Sequence, residues 1–238
     1  MPRFFKNITP PTAVLDGADG AHIRRSLRMQ VGETLTVCDG LGTDHTCRIV
    51  GFEGDNVQLA VDASAPNRTE PTTKVTLYMG LPKADKLEWV IQKAVELGVS
   101  AVVPVVTSRS IVKLDATAAA KKQERWQRIA AEAAGQSERG IIPTVERPIT
   151  FAAALKRMAA EKLLVLYEGG GQTLDTLLSP EDKQVSLFVG PEGGIAPDEV
   201  AAMQQAGGIC TTLGPRILRC ETAPIAALAV TMHLTGNL

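Results

Sequence analysis

The sequence predicts an α/β protein: a domain built on a largely parallel sheet, preceded by a smaller β-rich domain. Three observations carry that reading. From residue 74 onward, short apolar runs alternate with helical periodicity. The first 70 residues instead hold brief strands broken by turns. Aromatics make up only 4% of a chain that is 45% apolar, a bias that suits helices on a sheet better than a β-sandwich.

In the first part, residues 33–38 alternate polar and apolar and stop at Asp39-Gly40, a turn dipeptide. Strands over 45–52 and 56–61 follow, parted by Glu53-Gly54-Asp55, and one short helix is expected over 21–29. Several brief strands around one helix suggest a small β-barrel domain over 1–70. Ala65-Pro66-Asn67-Arg68-Thr69-Glu70-Pro71, polar and with two prolines, reads as the linker. The second domain takes 71–238. It opens with a strand over 75–79 and a helix over 84–97. There Leu87, Val90, Ile91, Ala94, Val95 and Leu97 recur at three and four, and Gly98 ends the helix. Residues 101–106 are almost continuously apolar, as expected of a parallel strand covered on both faces. A helix over 118–134, a strand over 141–145, a helix over 151–160 and a strand over 163–167 come next. A strand over 185–189, a helix over 197–205, a strand over 209–213 and a last helix from Thr222 complete the series. Ligands of such sheets bind beyond the carboxyl ends of the strands. The loops after Tyr167, Val189 and Leu213 are therefore the places for a site.

No apolar run reaches the roughly 20 residues of a membrane span; the best, 223–234, holds Pro224, Thr231 and His233. Residues 1–6 carry no apolar signal-like stretch, and Cys38, Cys47, Cys210 and Cys220 form neither a CxxC pair nor a metal-ligand spacing. A cytoplasmic, reduced, metal-free protein with no membrane partner is expected. The net charge is −1, with seven Lys and Arg against nine Asp and Glu in residues 1–70 and eighteen against seventeen in 71–238. Bulk attraction to nucleic acid is excluded, so any RNA site must be a local patch.

Two loops carry the chemistry. Gly190-Pro191-Glu192-Gly193-Gly194 lies between a strand and a helix, and its glycines let backbone approach a ligand closely. A phosphate loop would want Lys followed by Ser or Thr, whereas Glu192 would repel phosphate. A neutral or cationic ligand with donor groups fits better, and S-adenosyl-L-methionine (SAM) qualifies; a tight strand-to-helix turn would use the same glycines. Leu213-Gly214-Pro215-Arg216-Ile217-Leu218-Arg219-Cys220-Glu221-Thr222-Ala223 likewise joins a strand to a helix, with Thr222 as a candidate N-cap. Its two arginines and glutamate could also be a solvated loop with an internal ion pair. Two such loops at the same end of neighbouring strands imply a pocket. A third cluster, Arg3, Lys6, His22, Arg24, Arg25 and Arg28, could grip RNA phosphates or simply form a solvated face. On a helix Arg24 and Arg28 would lie four apart on one side. Lys83 and Lys86, at the entrance of the first long helix, are further cationic candidates for RNA, and Arg109, after a strand, could face the site.

These blocks resemble the ribosomal small subunit methyltransferase E family over essentially the whole chain. The resemblance rests on His22-Ile23 with Leu27-Arg28-Met29, Asp39-Gly40, the run Lys86-Leu87-Glu88-Trp89-Val90-Ile91-Gln92-Lys93, Gln136-Ser137 with Arg139, and above all the two glycine-containing loops in this order. It implies a SPOUT-type α/β-knot methyltransferase domain with a C-terminal trefoil knot, a PUA-like N-terminal barrel that contacts RNA, and a homodimer. It implies N3-methylation of a uridine in the 16S rRNA of the small ribosomal subunit. SAM would be held by Leu166, Tyr167, Gly190, Pro191, Glu192, Gly193 and Gly194 together with Leu213, Gly214, Ile217, Leu218, Thr222 and Ala223. Arg219 would stabilise charge on the base, Glu221 would orient it or accept the proton, and Arg109 would be a second group for base or phosphate. The apolar last helix, 225–234, would pack in the knot and against a partner subunit.

The chain departs from the family pattern at Cys220, where Thr is usual, and at Gly135, where an acidic residue is usual. Cys220 invites a thiolate-adduct route to C5 methylation, but methylation at N3 needs no adduct. Three other readings stay open: a non-catalytic rRNA-binding assembly factor, a related methyltransferase acting on another RNA, and a dinucleotide oxidoreductase. Against the last, Gly80-Leu81-Pro82-Lys83 stands where GxGxxG is needed after the first strand.

Overall fold

In the computed structural model, which describes residues 1–238, the chain falls into two units. One is Met1–Glu70 with Ala134–Ile142; the other is Pro71–Ala133 with Pro143–Leu238.

The first unit contains β1 (Arg3–Phe5), β2 (Thr12–Leu15), α1 (Gly17–Ala21), β3 (Thr34–Cys38), β4 (Thr43–Glu53) and β5 (Asn56–Pro66). The sheet order is β1-β3-β4-β5-β2, antiparallel except where β1 meets β3. Alternation decides which side chains enter the core. His45, Cys47 and Ile49 of β4 and Val57 and Leu59 of β5 point inward, while Arg48 and Val50 point out. The apolar members join Phe4, Leu15, Ile23, Leu35 and Val37 in one cluster. Each fully buried Leu, Ile or Val stabilises the unit by roughly 1.5–3 kcal/mol.

Three expectations are corrected here. The linker assigned to 65–71 begins as strand: Ala65 and Pro66 pair with Asp44 and Thr43, and Asn67 donates from Nδ2 to Asp44 Oδ2 at 2.9 Å. The helix expected over 21–29 starts earlier, at Gly17, and widens over His22–Ser26 into a turn closed by the Leu27 N–H on the His22 carbonyl at 3.0 Å. It ends before Arg28, whose φ is +54°, so Arg24 and Arg28 do not stack on one helical side. The strand expected over 141–145 shortens to two residues. The Glu70 carboxylate takes the Gly140 and Ile141 N–H groups at 2.9 and 3.0 Å, and Pro143 has none to give. The same carboxylate accepts from Arg139 Nε and Nη2 at 3.2 and 2.8 Å, fastening 134–142 into the first unit.

The second unit runs through β6 (Lys74–Gly80), α2 (Lys86–Glu96), β7 (Ala101–Val106), α3 (Ala116–Gln136), β8 (Thr144–Val145), β9 (Ile149–Thr150) and α4 (Phe151–Met158). It continues with β10 (Leu163–Leu166), β11 (Gln172–Thr173), α5 (Leu174–Leu177), β12 (Gln184–Val189), α6 (Pro197–Gln205), β13 (Ile209–Thr212) and α7 (Thr222–Leu234). Its sheet is parallel throughout, in the order β11-β13-β10-β12-β6-β7-β8, with β9 also beside β7. The expected strands are present; β9 and β11 are too short to leave a sequence signature.

Both sheet faces are covered, which is why the strands read as unbroken apolar runs. Tyr78, Val103, Val165 and Phe188 pack with Ala154 and Met158 of α4 and Val200 and Met203 of α6. Elsewhere α7 packs against α2, β6 and β12. In α2 the periodic residues Leu87, Val90, Ile91, Ala94 and Val95 are buried. Gly98 then takes φ +94° and donates its N–H to the Val95 carbonyl at 3.0 Å, a left-handed stop that a Cβ would strain. No helix is long and apolar enough to cross a membrane.

Arg139 is 4% exposed and its guanidinium is paired with the Glu70 carboxylate at 2.8 Å. Neutralising one member of a buried pair removes the charge that offsets the other's desolvation. Glu70→Gln is expected to lower unfolding free energy by about 2–4 kcal/mol, read as a lower urea midpoint; an unchanged midpoint would show that the pair contributes no net stability.

Candidate active site

Strand register builds the site. Leu166, at the end of β10, is paired with Val189 at the end of β12 on one side and with Thr211 of β13 on the other. Three strands finish side by side, and the loops that follow them open onto one cavity of about 600 Å³. That is within the usual range for a small-molecule pocket.

The loop after β12 turns through a Gly194 N–H to Pro191 carbonyl bond of 2.9 Å. Gly194 takes φ +70°, a left-handed conformation that strains a residue with a Cβ and that glycine adopts freely, with the Glu168 carboxylate close beside it. The Glu192 carboxylate reaches the start of α2, accepting from the Lys83 N–H at 3.1 Å and lying 3.1 Å from Lys86 Nζ. Burial pushes the Glu192 carboxyl up, but its own backbone N–H and Lys86 outweigh this and hold it below the usual carboxylate range.

The loop after β13 is pinned at both ends. Thr212 Oγ1 accepts the Gly214 N–H at 3.2 Å, and the Arg219 carbonyl accepts the Thr222 and Ala223 N–H groups, each at 2.9 Å. Glu221, not Thr222, is the N-cap of α7, and no side chain caps that end. Glu221 Oε2 lies 3.3 Å from Lys86 Nζ and accepts the Cys220 thiol at 3.2 Å. Its own backbone N–H, then Cys220 and Lys86, hold its carboxyl low against a smaller burial effect. Cys220 moves the other way: burial first, then its bond to Glu221, push the thiol up to about 12. At neutral pH it is a neutral donor, not a thiolate nucleophile.

Of the residues expected to hold cofactor, Leu166, Tyr167, Gly190, Pro191, Glu192, Gly193, Gly194, Leu213, Gly214, Ile217, Leu218 and Ala223 all line the cavity, and Thr222 does not. Arg219 and Glu221 line it as well. Arg109 is not in the lining; it braces the glycine loop, donating from Nη1 to the Gly193 carbonyl at 2.6 Å. Ile217 is 86% exposed, so its side chain is held by nothing in the protein itself.

Two charged members of the lining, Glu168 and Lys86, were not expected there, and neither were Thr211 and Thr212. Glu168 lines the cavity just after the end of β10. Its signal was present, an acidic residue leading into Gly169-Gly170-Gly171 in a loop already marked for search. Lys86 was read as a cation for RNA, yet it lines the cavity between two carboxylates. The charges around the walls balance, with Lys86, Arg216 and Arg219 against Glu168, Glu192 and Glu221. Lys86 is the one cation of the set held by two of those carboxylates, which leaves its cluster net negative. Such a wall suits a sulfonium ligand, and apolar Leu166, Val189 and Leu218 beside exposed backbone suit an adenine ring.

The cationic residues of the first unit are largely engaged. Arg3, with 8% of its side chain exposed, pairs with Asp44 and donates to the Arg139 carbonyl, so it does not reach out to a phosphate. Lys6 pairs with Asp16 at 2.9 Å and Arg25 with Asp55. Arg24 bonds the Gly54 carbonyl and lies over the Phe52 ring, and His22 meets Phe4 edge-on. Arg28 and Lys83 are exposed, with no ion pair.

A family model described as an RNA methyltransferase domain matches residues 68–232, and one described as an RNA methyltransferase PUA domain matches residues 15–62. The chain is 39% identical over 250 residues to ribosomal RNA small subunit methyltransferase E of Bacillus subtilis (strain 168), covering 99% of this chain and 97% of the relative. A crystal structure of a ribosomal RNA small subunit methyltransferase E from Neisseria gonorrhoeae, bound to S-adenosyl methionine, superposes with a TM-score of 0.87 at 33% identity over 98% of each chain. A methyltransferase from Legionella pneumophila, also in complex with SAM, gives 0.88 at 30% identity over 98% of this chain and 97% of that one. The chain belongs to the ribosomal RNA small subunit methyltransferase E family.

Proposed function

We propose that this protein methylates N3 of a uridine in the 16S rRNA of the small ribosomal subunit, with SAM as methyl donor, in the cytoplasm. The observation that carries the reading is the convergence of three loops, from three adjacent parallel strand ends, on one cavity with a net-negative cluster in its wall. Family membership supplies the substrate class, and the resemblance supplies the uridine N3 position.

When bound, SAM supplies an electrophilic methyl group on a sulfonium. The chain must hold the base in line with it and stabilise the negative charge that grows on the ring as N3 loses its proton. Arg219, the residue to which the family resemblance points, takes that role; Lys86 is held by Glu192 and Glu221, and Arg216 is the other arginine of the lining. Glu221 is held below the ordinary carboxylate range and faces Lys86, which makes it an ionised, oriented group and a weak proton acceptor at neutral pH. Cys220 stays protonated, in keeping with a route that forms no thiolate adduct. The target base is unstacked to enter the pocket; Arg109, which braces the glycine loop, is the second group assigned to base or phosphate. In the first unit, Lys6, Arg24, Arg25 and Arg28 remain the surface cations for phosphate, with Lys83 in the second. The reading includes the family's trefoil knot, with α7 in it, and a homodimer that covers Trp89 of α2 and Val230 of α7. Those two side chains are 45% and 40% exposed on helices that pack together.

Methyl transfer from labelled SAM to small subunits lacking the modification is expected to yield labelled N3-methyluridine on nucleoside analysis. Label in tRNA or the large subunit would move the substrate, and no label with subunits bound would favour an assembly factor. Arg219→Ala is expected to lower turnover by about 100-fold with SAM affinity kept; a loss under about tenfold would remove Arg219 from the charge-stabilising role. Light scattering is expected to give about twice the 25.3 kDa chain mass; a value at the single-chain mass in dilute solution would sink the dimer.

A further inference from the structure

Lys86 is the first residue of α2, where a cation faces the positive end of the helix dipole. Helix stability does not ask for it. Its Nζ lies 3.1 Å from Glu192 Oε1, 3.3 Å from Glu221 Oε2 and 3.8 Å from Cys220 Sγ. Glu192 belongs to the loop after β12 and Glu221 to the loop after β13, so a single ammonium ties together two loops that make no direct hydrogen bond to each other. The Lys83 N–H adds a second tie from the same helix entrance to Glu192.

We propose that Lys86 is a positioning residue for the methyl donor: by taking one carboxylate from each glycine-containing loop, it fixes both to the start of α2 and sets the width of the cavity. The proposal rests on the reading that this cavity takes SAM. The three side chains are 34, 30 and 20% exposed, so the pairs are open enough that losing them has little effect on global stability. The consequence falls on loop geometry instead. An arginine reaches further but offers a fork of N–H donors able to take both carboxylates; a methionine keeps the bulk and takes neither.

The test is calorimetric binding of SAM and of S-adenosylhomocysteine to the full chain and to Lys86→Met and Lys86→Arg. The second ligand lacks the sulfonium charge, so its affinity reports cavity shape apart from the electrostatic gain that removing a lysine gives a cation. Lys86→Met is expected to bind S-adenosylhomocysteine at least about tenfold more weakly, with a melting midpoint within about 2 °C of the parent. Its KM for SAM should rise by a similar factor, read separately from any change in turnover that follows from loosening Glu221. Lys86→Arg should recover most of the affinity for both ligands. Lys86→Met binding S-adenosylhomocysteine as the parent does would overturn the proposal, as would equal loss in the arginine and methionine variants. A parent chain that binds neither ligand would remove the cofactor reading, and the proposal with it.

Discussion

Parallel strands that end level are the constraint from which the site follows. Because β10 is paired in register with β12 and β13, Leu166, Val189 and Thr211 form one row across the sheet. Each strand must then leave the sheet at the same place, and the three connections have no choice but to share a volume. A slip of one residue in either ladder would turn every side chain on that strand to the other face. It would carry Val165 and Phe188 from the face they pack on to the opposite one, whose neighbours have other shapes. The hydrophobic core on both faces therefore sets the position of the loops, and the loops need to supply only local chemistry.

Electrostatics divides the work between the two units. In the first, most cations expected to meet RNA already face a carboxylate or a carbonyl of their own unit, as Arg3 does with Asp44 and Lys6 with Asp16. Such surface cations can still turn toward phosphates, but they start from an internal partner rather than from water, which lowers the gain per contact. With a net charge of −1 over the chain, recognition has to rest on shape and on a few well-placed contacts. In the second unit the same economy of charge works differently. Lys86 is held inside the site by two carboxylates, while Arg216 and Arg219 line the cavity from the loop after β13.

How much of this was legible depended on whether the signal was local. Helix α2 showed itself because Leu87, Val90, Ile91, Ala94 and Val95 recur within one segment, and both loops showed themselves because glycines and charges cluster between a strand and a helix. The short strands β1, β2, β9 and β11 carry too few residues for a period to emerge. The membership of 134–142 in the first unit was not legible, because it is decided by one carboxylate, Glu70, from a distant part of the chain. The place of Lys86 in the cavity wall was hidden for the same reason. A lysine at a helix start looks like a surface cation until folding brings Glu192 and Glu221 to it.

Cys220 shows how the folded loop gives a departure from the expected pattern a physical meaning. The side chain before Glu221 serves here as a donor to the Glu221 carboxylate, at 3.2 Å. A threonine hydroxyl, which the family resemblance leads one to expect at this place, is likewise a hydrogen-bond donor, so Cys220 offers the same kind of group from a different atom. The thiol can act this way because burial and the adjacent carboxylate push it up to about 12, far from ionisation at neutral pH. Were it a thiolate, it would repel Glu221 and compete for Lys86, and the tie between the two loops would weaken. The protonated thiol, the ionised glutamate and the lysine thus depend on one another, and a residue that resembles a nucleophile in the sequence is, in the folded chain, part of what keeps the cavity in shape.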